Sequence, residues 1–285
     1  MKRLLLLYVV FFCMAVGVFA QKRAVPTPEQ AERVLRTTTD VVLSGQNMLL
    51  DAALRSAVEK NWTITPVAFI DTAEFNRRIG DANRTFLLIV GGTYHDDDVP
   101  NGYTFLNFVM GGNTVFEKLS DFMLWPLTCK GRDEDDAILF MEAFVDIIQQ
   151  HVRLIRQNPS MARADIDTYN NNIPQLRSRT ILIAADDIPS PIPDAEMERF
   201  GGHLKIVSRA EIADALTNAS PDTVVGLAIF SLDEQLKSSS CFTMLITADT
   251  HELLYFKRHK VRNPRQRGFL KEEIRRIGIP FAIKN

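Results

Sequence analysis

Hydrophobic positions along this chain change their spacing several times, and each change marks an element. From Leu4 to Ala20 the residues are uncharged and almost wholly apolar, with no alternation. Val41-Val42-Leu43, Phe69-Ile70, Thr85–Val90 and Ile181-Leu182-Ile183 are short apolar runs of the length and density that buried strands require. Leu50, Ala53, Leu54, Ala57 and Val58 recur every three or four positions, which puts one apolar stripe on a helix over Met48 to Lys60. Ile138, Phe140, Met141, Phe144, Ile147, Ile148 and Val152 do the same for a longer helix over Asp135 to Ile155.

The pattern is written twice. Phe69-Ile70-Asp71-Thr72-Ala73-Glu74-Phe75 recurs as Ile206-Val207-Ser208-Arg209-Ala210-Glu211-Ile212, at an offset of 137 residues. In both copies a strand ends, Asp71 or Ser208 caps a helix, and an acidic residue follows three positions on. In that capping arrangement the cap side chain accepts from a free backbone N–H while the acid reaches back to the cap's own N–H. Further correspondences keep the same order: Thr85–Val90 with Thr223–Ala228, Tyr103–Val109 with Cys241–Thr247, and Val115–Lys118 with Leu254–Lys257 as return strands. Gly111-Gly112-Asn113 and Asp249-Thr250-His251 supply the turns between. Upstream, Met48 to Lys60 is matched only by a shorter helix over Asp194 to Phe200. The helix over Asp135 to Ile155 is matched by one over Leu270 to Ile277.

The expected fold is α/β with mixed sheets. It is a tandem duplication of a strand-helix-strand-helix-strand-strand-strand-helix unit, giving two similar α/β sandwich halves. The halves run over 38–156 and 179–285, and the polar stretch 157–178, bounded by Pro159 and Pro174, reads as the linker. In architecture the tandem modules resemble envelope adaptor domains such as the amino-terminal domain of TolB, a likeness of fold that carries no residue roles.

The first run has its own meaning. Lys2 and Arg3 precede it, small residues end it at Ala20, and together these are the parts of a cleavable secretory signal over 1–20. As a helix it would reach about 25 Å at ~1.5 Å per residue, short of the ~30 Å hydrocarbon layer that an anchor must cross. Cys13 is preceded by Phe11-Phe12, where a lipid-modified cysteine wants small residues. Export is therefore expected, to a bacterial periplasm, the outer membrane or the exterior. Losing Lys2 and Arg3 deepens a formal net charge of −2, which argues against a nucleic-acid binder. The glycosylation-type triplets at Asn61, Asn83 and Asn218 are then incidental.

Candidate chemistry is sparse. His95, Asp96, Asp97 and Asp98 form an acidic cluster in which carboxylates and an imidazole offer hard and borderline metal ligands, although the spacing fits no calcium loop. Asp133-Glu134-Asp135-Asp136 stands at a helix start, where negative charge offsets the helix dipole. Cys129 and Cys241, the cysteines left after cleavage, permit one disulfide in an oxidising compartment; buried free thiols are the alternative. No nucleophile elbow, zinc-protease helix or phosphate loop occurs. Gly91-Gly92 and Gly111-Gly112 are turn residues, and Trp62 is expected to open a strand as a packing residue. From Lys257 to Arg276 basic residues dominate, and Lys257, Arg258, Lys260, Arg262, Arg265 and Arg267 are the candidate binding set for an acidic partner or an anionic membrane surface.

The sequence thus favours an exported, non-catalytic envelope or periplasmic protein that binds another protein or an envelope component, with no cofactor. A secreted metal-dependent hydrolase using residues 95–98 is the alternative. Oligomeric state is not legible.

Overall fold

Two strands opened by apolar runs organise each half, and the remaining strands add on one side. The computed structural model describes residues 24–93, 97, 102–163, 166–233 and 238–278. The leader proposed over 1–20 lies outside them, as do His95, Asp96 and Asp98. In the first half, β1 (Thr38–Val42) leads into α2 (Met48–Asn61), then β2 (Val67–Ile70), α3 (Thr72–Arg78), β3 (Arg84–Gly92), β4 (Tyr103–Met110) and β5 (Ser120–Cys129). A short α1 (Pro28–Arg33) precedes them, and α4 (Asp135–Leu139) and α5 (Met141–Gln157) close the half. The sheet order is β2-β1-β3-β4-β5, with β1 parallel to β2 and β3, and β4 antiparallel to both β3 and β5.

The second half repeats this plan. It comprises β6 (Thr180–Ala184), α6 (Asp194–Arg199), β7 (Leu204–Val207), α7 (Arg209–Thr217), β8 (Thr223–Ile229), β9 (Ser239–Thr247), β10 (Leu253–Val261) and α8 (Lys271–Gly278). Its sheet order β7-β6-β8-β9-β10, with β6 parallel to its neighbours and the rest antiparallel, matches the first strand for strand. The two similar halves read from the sequence are present, and α3 and α7 occupy the same place in each. Asp71 accepts from the Glu74 N–H at 2.7 Å. Ser208 makes the full reciprocal box with Glu211, whose carboxylate also accepts from the Ser208 N–H at 2.9 Å. Glu74 instead turns to Arg77 and Arg78.

Three local expectations need correction. Val115–Lys118 is not the return strand: Phe116–Lys118 is a single 3₁₀ turn, and the strand begins at Ser120. The reason is burial, since Val115 is exposed whereas Phe122, Trp125 and Leu127 are buried against the first-half core. Trp62 opens no strand. It ends α2, donates its indole N–H to Thr65 Oγ1 at 2.8 Å, and packs on Phe108. The helix expected over Asp135 to Ile155 is broken at Phe140 into α4 and α5.

The halves keep separate sheets but share one core. Along β9, Phe242, Met244 and Ile246 join the first-half cluster, while Cys241 and Leu245 join the cluster under α6 and α8. This is the two-residue alternation of a strand buried on both faces. Trp125 of β5 lies 5.5 Å from Phe256 of β10, and Tyr103 of β4 meets Phe242 edge-on at 5.7 Å. The connection 157–178 is packed rather than free. It forms 3₁₀ segments over Pro159–Arg163 and Ile166–Ser178 with Tyr169 and Leu176 buried. Asn170 accepts from the Phe256 N–H at 2.8 Å and Asn172 donates to the Leu253 carbonyl at 3.2 Å, so side-chain amides satisfy the outer edge of β10.

Candidate functional site

Running directions place the site-forming loops together. Within each half the first, third and fifth strands of the chain run the same way, so β5 ends beside the ends of β1 and β3, and β8 ends beside β6. Just past β5, Arg132 Nη1 donates to the Ala228 carbonyl of β8 at 3.0 Å, and Ser231 Oγ donates to the Lys130 carbonyl at 3.2 Å. The carboxyl ends of both sets of parallel strands therefore open on one end of the molecule. In α/β sheets this is the end at which ligands gather.

A closed ring of charges locks that end. Asp187, fully buried beyond β6, accepts from both terminal nitrogens of Arg209 at 3.1 and 3.0 Å and lies 3.5 Å from Arg132. Asp136 of α4 completes the circuit, 2.9 Å from Arg132 and 3.2 Å from Arg209. Asp187 Oδ2 also accepts from the Ala228 N–H at 3.2 Å, and the Arg132 guanidinium stacks 4.7 Å over Phe230. Burial pushes the Asp187 carboxyl up while Arg209 and Arg132 pull against it. For Arg209, burial works downward, and Asp187, Asp136 and Asp186 carry it above its ordinary value. The Asp187 carbonyl then accepts from the Phe269 N–H at 2.8 Å. A side chain at Gly268, whose φ is +102°, would meet that carbonyl oxygen at 2.1 Å. Only glycine fits there.

The acidic and basic candidates from the sequence meet each other. The buried Asp97 carboxylate accepts from Ser240 Oγ at 3.1 Å and is ion-paired with Lys260, with Arg258 3.9 Å away. Asp97 thus has an ammonium and a guanidinium group as its neighbours, and the other three members of the acidic cluster lie outside the described residues. Among the described residues no group of three metal-ligating side chains occurs. On the other face of β10, Lys257 and His259 each lie 3.8 Å from buried Glu273. That carboxylate also accepts from Thr243 Oγ1, Tyr255 OH and the Leu270 N–H at 2.6, 2.9 and 2.8 Å. Glu196 holds Arg275 at 2.5 Å and Lys271 at 3.7 Å. Arg267 donates to the Asp233 carbonyl at 3.3 Å. Of the six basic candidates, Arg262, Arg265 and Arg267 make no ion pair among the described residues, and Arg267 alone of these three is held by a side-chain hydrogen bond.

The bridge weighed between Cys129 and Cys241 is not formed. Both are free and buried, and burial raises the Cys129 thiol to about 12 and Cys241 well above its ordinary value. At those values neither is a ready thiolate. The described histidines stay apart: His151 bonds Tyr169 OH at 2.9 Å, His251 bonds Asp146 at 2.6 Å, and His259 bonds the Gln266 carbonyl at 2.8 Å.

What the sequence missed is apolar. Just past the loop after β1, α2 opens with Met48 and Leu49, which are 80% and 67% exposed, outside the stripe that the helix buries. Asn47 caps α2 by accepting from the Leu50 N–H at 3.1 Å, and its amide donates to Glu134, which ties this tip to the acidic run. The equivalent loop after β6 is Ile188-Pro189-Ser190-Pro191-Ile192-Pro193. Its residues Ile188 to Ile192, with Phe269 and Ile274, line a groove of about 290 Å³, to which Arg265, Lys271 and Glu272 also contribute. Comparison with protein families, curated proteins and solved structures yields no match to this chain.

Proposed function

We propose that the chain is a non-catalytic protein exported to the bacterial envelope or periplasm, where it binds another protein or an envelope component. One observation carries the reading. The segment that follows the first strand of each half presents apolar surface on the shared end of the molecule: Met48 and Leu49 project at the start of α2 in one, and the Ile188–Ile192 groove opens in the other. Contiguous apolar surface at such a place marks an interaction site, whereas Asp187, Asp97, Glu273 and Glu196 are engaged with cations of this chain. The uncharged run from Leu4 to Ala20 supports export, and contact with an anionic surface would fall to Arg262 and Arg265. The test is to produce the whole chain in bacteria with a photo-crosslinking residue at position 49, or at Glu59 as an exposed control. The expected product begins at Gln21, lies in the periplasmic or envelope fraction, and gives a discrete adduct from position 49 alone. An intact leader in the cytoplasm with no adduct would count against both parts.

A further inference from the structure

The two tips on the shared end complement each other in shape and in charge. Met48 and Leu49 form a projection beside the carboxylates of Asp133 and Asp135, both exposed and without an ion pair among the described residues. The groove is concave and largely apolar; Arg265, Lys271 and Glu272 stand on its border, Lys271 is held by Glu196, and Arg265 makes no ion pair among the described residues, which leaves the border net positive. Its volume of about 290 Å³ is roughly twice the ~150 Å³ that admits a benzene ring, room for two aliphatic side chains. Opposite charge around matching apolar surfaces steers and registers a contact. With a single partner, a molecule that carries a projection and its complement on one end satisfies both at once about a two-fold axis, in which each surface meets the other's counterpart.

We propose that the protein pairs with a second copy of itself about a two-fold axis, the Met48–Leu49 tip of each copy seated in the Ile188–Ile192 groove of the other, with Asp133 and Asp135 facing Arg262 and Arg265. This rests on reading the tips as interaction surfaces and names their occupant. The acidic run is thereby given a use beyond the helix dipole, since only Asp136 is consumed by the charge ring.

Sedimentation velocity and light scattering on the protein purified after export of the whole chain, over a wide concentration range, test it. The expected result is a monomer–dimer equilibrium that weakens with added salt. Leu49→Glu, at an exposed position, raises the dissociation constant at least ~30-fold, the effect of losing a central anchor. Arg265→Glu and Asp135→Arg each weaken pairing about tenfold, and the double variant recovers most of it, as a reversed charge pair does. Circular dichroism checks that each variant is folded, and Arg265→Glu serves if Leu49→Glu is not. A monomer at every concentration, an open polymer, or a dimer indifferent to all three single variants overturns the proposal. A monomer that still crosslinks from position 49 to a different protein removes self-pairing while leaving the binding-protein reading intact.

Discussion

At the scale of single residues, chemistry close in sequence was the legible part. Asp71 and Ser208 were readable as caps because the bond they make spans three residues. Thr27-Pro28-Glu29-Gln30 carries the same signal, with proline at the first helical position, and α1 is the helix it opens. Pairings such as Asp97 with Lys260 follow no spacing rule, because the fold brings together residues that lie 163 apart. His151 yields a prediction at this scale. Burial lowers its pKa to about 4, so the folded protein holds it neutral against Tyr169. The unfolded value is ~6.5, so its contribution is whole above that pH and is lost as pH falls toward 4, by about 3 kcal/mol. Denaturant titrations of the native protein and His151→Phe should converge by that amount between pH 7 and 4. Parallel curves would show that His151 does not titrate against folding.

Among elements, the apolar stripe of α2 and the runs of β3, β4, β8 and β9 were readable because one periodicity holds across each. The return strand of the first half was not. Val-Phe-Glu-Lys at 115–118 imitates a strand end, while β5 carries Pro126 and two register shifts that interrupt its alternation. The joint between the halves was hidden as well, since Arg132, Asp136, Asp187 and Arg209 sit on four separate segments. Once assembled, they predict strong coupling. Asp187→Asn leaves Arg132 and Arg209 without their buried partner and should cost ~3–5 kcal/mol, measured by chemical denaturation. Asp187→Asn combined with Arg209→Gln should lose less than the two changes summed. A loss below about 1 kcal/mol for Asp187→Asn would mean that the ring does not hold the joint.

For the whole molecule, the repeated unit was legible and its consequence was not. The same strand order twice implies a preserved core, but how the halves dock depends on which faces remain apolar after each has packed its own helices. Phe242, Phe256, Tyr103 and Trp125 meet across that junction, and docking carries both first-strand loops to one end. Function is then a property of surface left over: paired charges inside, a projecting Met48-Leu49 and a basic-edged groove outside. Hydrogen–deuterium exchange on the associated protein tests this most directly. The amides of 46–50 and those of Ile188, Ser190 and Ile192 should gain protection together on association, while those at the opposite end of the sheets do not change. If both loops exchange as fast in the associated state as in the free chain, the shared end is not where this protein binds.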